Sequence, residues 1–346
     1  MKTPKPISPF RLSSLLRSEK DPTLAFNLFK NPNPDPKPSG KPFRYSPLSY
    51  DLIITKLGRA RMFDEMEQVL HQLKNDTRLV PQEIIFCNAM KFYGRACLHK
   101  RALQLFEGMP EYRCQRTVKS VNSLLNALLL SEKFDEMKQV FFGMEKYARP
   151  DACTYNILLR ACCLSRCLDD ASNLFDEMQR KGVKPNAVTF GTLIRGLCME
   201  MKVKEAFKLK ADMVRLHGLF PNPCTYSMMI KGLCRIGELS LAIRLKEEMV
   251  GNKMKVDSSI YSTLFKEAAF ILDEMIFKGY VPHCARIHKF VSGLCQKADM
   301  KLLLMVLNSL AKGNAIDQDT WLMVISKVYQ EDKLSISAEI LDALML

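Results

Sequence analysis

Between residues 151 and 185 the apolar positions fall in two short runs separated by a polar turn: DACTYNILLRACCLSRCLDDASNLFDEMQRKGVKP. Counting Asp151 as position 1, apolar residues at positions 5, 8, 9 and 12 line one face of a helix, at the i, i+3, i+4, i+7 spacing. A second amphipathic run follows, and a Lys-Pro step closes the stretch. The pattern restarts at Asn186 and again at Asn222. Self-similarity at this period predicts helical hairpins that each bury their apolar face on a neighbour, not one closed core.

Carrying the register along the chain divides it into units 46–81, 82–116, 117–150, 151–185, 186–221, 222–256, 257–282, 283–316 and 317–346. Position 5 is aromatic at Tyr50, Phe86, Tyr155, Phe190, Tyr226, Tyr261 and Trp321. Position 21 is alanine at Ala102, Ala171, Ala206, Ala242 and Ala268, small enough to let two helices approach closely. Position 28 is methionine at Met109, Met144, Met178, Met213, Met249 and Met275, where a flexible thioether fills an irregular gap. Prolines Pro81, Pro150, Pro185, Pro221 and Pro282 stop the second helix of their units. The fold class that follows is all-α, a solenoid of helix-turn-helix repeats.

One unit breaks the rule. Residues 257–282 number 26, and against a 35-residue unit the gap falls between Phe265 and Lys266, at positions 10 to 18. That removes the end of the first helix and the whole turn, so this unit is not expected to stack as its neighbours do.

Ahead of the array, residues 1–30 carry Lys2, Lys5, Arg11, Arg17 and Lys20 with several serines, and FRLSSLLR forms a basic amphipathic helix. This composition suits an organelle transit peptide, mitochondrial in preference to chloroplast. The same residues also fit a degenerate first repeat, with Asp21 and Pro22 capping a second helix. A proline-rich linker, residues 31–45, separates this segment from the repeats.

Charge adds a partner class. Lysine and arginine number 51 against 37 acidic residues, a net charge of +14, which suits a polyanion. The twelve cysteines do not suggest a metal site or cofactor: Cys163, Cys198, Cys234 and Cys295 all occupy position 13, one repeat apart, and read as small buried hydrophobes. No apolar run approaches a membrane span. No phosphate-gripping glycine loop, nucleophile elbow or HExxH motif stands out, so no enzyme and no catalytic residue is expected.

The openings Thr154-Tyr155-Asn156-Ile157-Leu158-Leu159, Thr189-Phe190-Gly191-Thr192-Leu193-Ile194 and Thr225-Tyr226-Ser227-Met228-Met229-Ile230, with the close LFDEMQRKGVKP at 174–185, resemble those of plant organellar pentatricopeptide repeats. Residues 46–346 are similar to the plain-repeat, P-type members, and the tetratricopeptide signature is missing. The resemblance implies a right-handed superhelix, acting as a monomer, that binds single-stranded organelle RNA and reads one base per repeat. It supports transcript stability, end processing, splicing or translation, alone or with other RNA-processing proteins or the ribosome. In that family position 6 of one unit and position 1 of the next choose the base. Carried over, Asn122 with Asp151 resembles the uracil pair, Asn156 with Asn186 the cytosine-or-uracil pair, and Ser227 with Asp257 a purine pair. Gly191 with Asn222 offers one side chain only. Asp51 with Gln82, Cys87 with Thr117, Ser262 with His283 and His288 with Asp317 depart from the family's usual readers. The alternative is a protein-binding helical scaffold, for example a mitochondrial ribosome-associated component, in which these polar pairs are merely solvated.

Overall fold

The computed structural model describes residues 7–33, 43–256, 258–278, 283–297, 300–312 and 316–330, and all regular structure among them is helical. The chain forms two compact units, Met1–Leu193 and Ile194–Leu346. The first contains helices α1 (Pro9–Ser18), α2 (Pro22–Lys30), α3 (Pro47–Ala60), α4 (Phe63–Asn75), α5 (Glu83–Arg95), α6 (His99–Gly108), α7 (Val118–Leu130), α8 (Phe134–Gly143), α9 (Ala152–Leu164) and α10 (Leu168–Arg180). Helix α11 (Ala187–Met199) carries the division between the units. The second unit continues with α12 (Val203–Arg215), α13 (Pro223–Arg235), α14 (Leu239–Gly251), α15 (Ser258–Phe277), α16 (Cys284–Lys297), α17 (Met300–Lys312) and α18 (Gln318–Gln330).

Six of the described hairpins turn at the same place. Arg61, Cys97, Glu132, Arg166, Met201 and Gly237, all at position 16, adopt left-handed backbone with φ between 55° and 75°. Each is followed, at position 17, by an N–H that closes back onto the first helix. Met62 donates to Leu57, Leu98 to Tyr93, Lys133 to Leu128, Cys167 to Cys162, Lys202 to Leu197 and Glu238 to Leu233, at 2.9–3.0 Å. This closure satisfies a carbonyl that the helix end would otherwise strand.

The shortened unit shows the converse. It lacks positions 10 to 18, and with them the left-handed residue and the closure, so nothing ends its first helix. The two halves fuse into α15, a single helix of 20 residues. Its N-terminal half buries Ile260 among the residues of α13 and α14, and its C-terminal half buries Ala269 and Leu272 against α16 and α17. The repeat register slips as a result: Tyr261 and Met275 are exposed and Ala268 is half-buried, where their counterparts elsewhere are core.

In the intact units the packing positions behave uniformly. Tyr50, Phe86, Tyr155, Phe190 and Tyr226 are buried, as are Ala102, Ala171, Ala206 and Ala242 and all of Met109, Met144, Met178, Met213 and Met249. Tyr155 and Tyr226 also clasp their own hairpins. Their hydroxyls donate to Glu177 at 3.1 Å and Glu248 at 2.8 Å, both at position 27. Burial raises the Tyr226 phenol to about 12, so it remains the donor.

Successive first helices meet through small side chains. Position 13 of one unit packs on position 11 of the next. A Cβ placed on Gly94 would lie 2.5 Å from Ala127 Cα, and one on Gly232 would lie 3.0 Å from Cys198 Cβ. The position-13 thiols Cys163, Cys198, Cys234 and Cys295 are buried, and burial raises Cys198 and Cys234 to about 11.

Helices α1 and α2 precede this array and pack on α3. Leu12 and Leu16 are fully buried, the Ser13 hydroxyl meets Ser49 at 2.8 Å, and Arg11, Arg17 and Lys20 face solvent. The segment with a leader's composition is therefore also a docked hairpin. Truncating Leu16→Ala should cost about 2–5 kcal/mol, read as a lower urea midpoint. A midpoint within error of wild type would mean that α1 contributes nothing to the first unit.

Candidate nucleic-acid interface

The polar pairs expected at repeat junctions meet at two places in the first unit. Asn122, on α7, donates from Nδ2 to Asp151 Oδ1 at 3.1 Å, and Asn156, on α9, donates to Asn186 Oδ1 at 3.3 Å. Asp151 and Asn186 stand immediately ahead of α9 and α11. Their side chains accept the N–H of Thr154 at 2.8 Å and of Thr189 at 3.1 Å, which caps the first turn. One residue thus both starts a helix and faces the helix before it.

A third residue completes each junction. Position 4 of the incoming unit is Thr154 or Thr189, both fully buried, and each hydroxyl donates at 2.7 Å to Oδ1 of the preceding unit's asparagine. Burial pushes the Asp151 carboxyl up, but hydrogen bonds from Thr154 and Asn122 outweigh it and hold the group below the usual carboxylate range. Asp151 is therefore a charged acceptor at neutral pH. The second unit has a related cluster. His288 Nδ1 lies 3.1 Å from Thr320 Oγ1, and Thr320 N donates to Asp317 at 2.8 Å. The Thr320 hydrogen bonds, helped by the neighbouring His288, keep Asp317 below its ordinary range.

The other expected pairs are arranged differently. Asp51 accepts from Asn88 at 3.0 Å, not from Gln82. Residues 46–81 thus pair position 6 with position 7 of the next repeat. Burial raises the Cys87 thiol, and the Thr117 hydroxyl donates to Glu83 at 2.8 Å. Ser227 is buried and donates to its own backbone at Pro223 O, 2.9 Å away; Asp257 lies outside the described residues. Asn222 caps α13 through the Thr225 N–H at 2.9 Å, and Gly191, within α11, brings no side chain to its position. Ser262 is half-buried and His283 exposed; no hydrogen bond between them is found among the described residues.

Two features of the interface were not anticipated from the sequence. One is the position-4 hydroxyl, signalled by the recurrence of Ser49, Ser120, Thr154, Thr189, Thr225 and Thr320, all buried. The other is a cation at position 10, one helical turn beyond position 6 and on the same face: Lys91 and Arg160 in the first unit, Arg195 and Lys231 in the second. Second helices pair many of their charges across repeats. Arg101 meets Asp64 at 2.9 Å, Lys138 meets Asp170 at 3.7 Å, and Lys210 meets Glu248 at 2.5 Å. Burial raises the Glu248 carboxyl, but Lys210 and Tyr226 more than offset that and hold it below its ordinary range. Among the described residues the position-10 cations form no such pairs. Their field is left for a ligand.

These features define an α-helical repeat protein whose junctions carry paired polar side chains beside unneutralised cations. The sequence pattern of the PPR repeat family matches residues 150–199 and 192–235, and that of the PPR repeat matches 119–147 and 224–254. Residues 119–147 and 150–254 thus carry the pentatricopeptide repeat pattern. The chain is similar to a pentatricopeptide repeat-containing protein of Arabidopsis thaliana, 56% identical over 53% of this chain and 39% of the relative. It is also similar to the small ribosomal subunit protein mL103 of the same plant, 32% identical over 51% of this chain and 43% of that one. The chain thus spans about two-fifths of the length of these relatives. Among solved structures, the maize protein PPR10 superposes with a TM-score of 0.53 at 16% identity, covering 97% of this chain and 54% of that one. PPR10 in complex with an 18-nt psaJ RNA element superposes at 0.63 and 17%, covering 97% and 46%. This likeness is one of fold.

Proposed function

We propose that this protein binds single-stranded RNA in a plant organelle and selects bases at its repeat junctions. The observation that carries the reading is the tied pair at Asn122/Asp151 and Asn156/Asn186, with exposed Arg160 one turn beyond Asn156 and exposed Lys91 at the same position of an earlier repeat. Hydrogen-bonding groups held beside open positive charge suit a base edge and its phosphate. The chain acts by occupancy, shielding a strand or holding it out of a hairpin, and catalyses no reaction of its own. Mitochondria are its compartment on this reading, supported by the relatives named mitochondrial and by the basic exposed face of α1.

Phosphate contacts make RNA affinity fall with salt, with a log–log slope of about −0.7 per contact for single strands. Four position-10 cations should therefore give a slope near −3, and Arg160→Ala should lessen it by about 0.7. Affinity that holds level across the titration would end the RNA reading. A second reading, a scaffold within a ribosomal particle, is favoured by the relatives named as small ribosomal subunit proteins and by exposed Phe270 and Phe277 on α15. It predicts co-sedimentation with ribosomal subunits that survives Arg160→Ala.

A further inference from the structure

We propose that Thr189, and with a smaller effect Thr154, sets which base its junction selects, by fixing which way the preceding unit's asparagine amide points. The inference rests on the RNA reading above and concerns a residue that need not touch RNA at all.

The argument begins with the hydrogen of a buried hydroxyl. Thr189 Oγ1 accepts the Asn186 backbone N–H at 3.0 Å, which leaves its own hydrogen to be placed. The closest acceptor is Asn156 Oδ1 at 2.7 Å, with Asn186 Oδ1 farther off at 3.2 Å. The amide oxygen of Asn156 is thereby turned onto the protein. Asn186 Oδ1 is also occupied, by the N–H groups of Val188 and Thr189 at 3.0 and 3.1 Å and by Asn156 Nδ2 at 3.3 Å. What the junction has left to offer is one spare hydrogen from Asn156 and the amide hydrogens of Asn186. Donor beside donor complements the adjacent N3 and O2 acceptors of cytosine. Uracil carries a hydrogen on N3 and would oppose one of those donors.

The junction before it differs by one atom type. Thr154 Oγ1 accepts the Asp151 N–H at 3.2 Å and donates to Asn122 Oδ1 at 2.7 Å. Here, however, the other partner is a carboxylate. Asp151 Oδ1 can only accept, so it holds Asn122 Nδ2 at 3.1 Å whether or not Thr154 has a hydroxyl. The spare groups are one amide hydrogen and the second carboxylate oxygen, a donor beside an acceptor, which complements a carbonyl next to N3–H in uracil. The amide of Asn122 is thus oriented twice over. At Asn156 the remaining hold is the longer 3.3 Å contact to a neutral amide, and the threonine decides the orientation.

The test is base selection from a randomised RNA pool by the full chain, with the nucleotide facing this junction located by its response to Asn186→Asp. Wild type should favour cytosine over uracil there by about fivefold, the worth of one net hydrogen bond. Thr189→Val, which keeps the shape and removes the hydroxyl, should bring that ratio close to one, and Thr189→Ser should restore it. Thr154→Val should change the uracil preference at its own nucleotide by less than twofold. Thr189→Ala carries the same expectation as Thr189→Val and replaces it if the valine disturbs α11. If wild type shows no base preference at any nucleotide, the RNA reading fails and this inference with it. If wild type selects and the valine and alanine variants select equally well, the inference alone is overturned. A purely structural threonine would lower melting temperature and overall affinity while leaving the cytosine-to-uracil ratio where it was.

Discussion

Gly94→Val is expected to destabilise the first unit by about 3 kcal/mol, near the upper end of what overpacking costs, and to lower its melting temperature by roughly 6–12 °C. Opposing effects have to be weighed. Glycine inside a helix is a poor choice by about 1 kcal/mol, so a side chain at Gly94 gains something locally. The added Cβ would meet Ala127 Cα at 2.5 Å and its Cβ at 2.8 Å, and the first of these is backbone. Main chain cannot swing aside as a side-chain tip can, so α5 and α7 must separate, and the steric cost outweighs the helical gain. Gly143→Ala is the control. No heavy atom lies within 4 Å of its added Cβ, so its melting temperature should equal wild type or rise slightly with the helical gain. Equal melting of the Gly94 variant and the control would show that the close approach of α5 and α7 is not needed for stability.

The second large effect concerns selection. Replacing Asn156 with threonine and Asn186 with aspartate should move the preferred base at one nucleotide from a pyrimidine to guanine, with a discrimination of about tenfold, within the range known for two well-placed hydrogen bonds. The structure places these side chains 3.3 Å apart at one junction. An aspartate at 186 can keep the capping bonds to Val188 and Thr189, so the helix start survives the change. Its second oxygen then faces outward as an acceptor, which suits the N1–H and N2–H edge of guanine. Neighbouring nucleotides should keep their preferences. A selection profile indistinguishable from wild type would count decisively against base reading at this junction.

Much of the packing was legible in the sequence because it depends on contacts within one hairpin. The aromatic at position 5, alanine at 21 and methionine at 28 are local, and the periodicity reports them directly, as buried Tyr155, Ala171 and Met178 show. The shortened unit defeated the same reasoning. A register counted from intact repeats assigns Tyr261, Ala268 and Met275 to the core, but these positions assume a turn that is not there. With positions 10 to 18 missing, the helix runs on, and Ile260 and Ala269 take the buried places. The candidate junctions were partly legible for a related reason. Asn122 and Asp151 are 29 residues apart, and only stacking brings them together. The pairing could be carried over from a family likeness, but the threonine that orients it could not. Its partner lies in another repeat, and its side chain is hidden. Asp51 shows the limit of the carry-over: it turns to position 7 of the next unit.

The thiols at position 13 give the chain a set of internal timers. Cys163, Cys198 and Cys234 sit sealed where one hairpin leans on the next, whereas Cys153, Cys167 and Cys224 stand in water a few residues away. An alkylating reagent would mark the outer group at once and the inner group only when a particular seam gapes. The order in which the sealed sulfurs become labelled would then report, repeat by repeat and without any introduced probe, where the stack opens first.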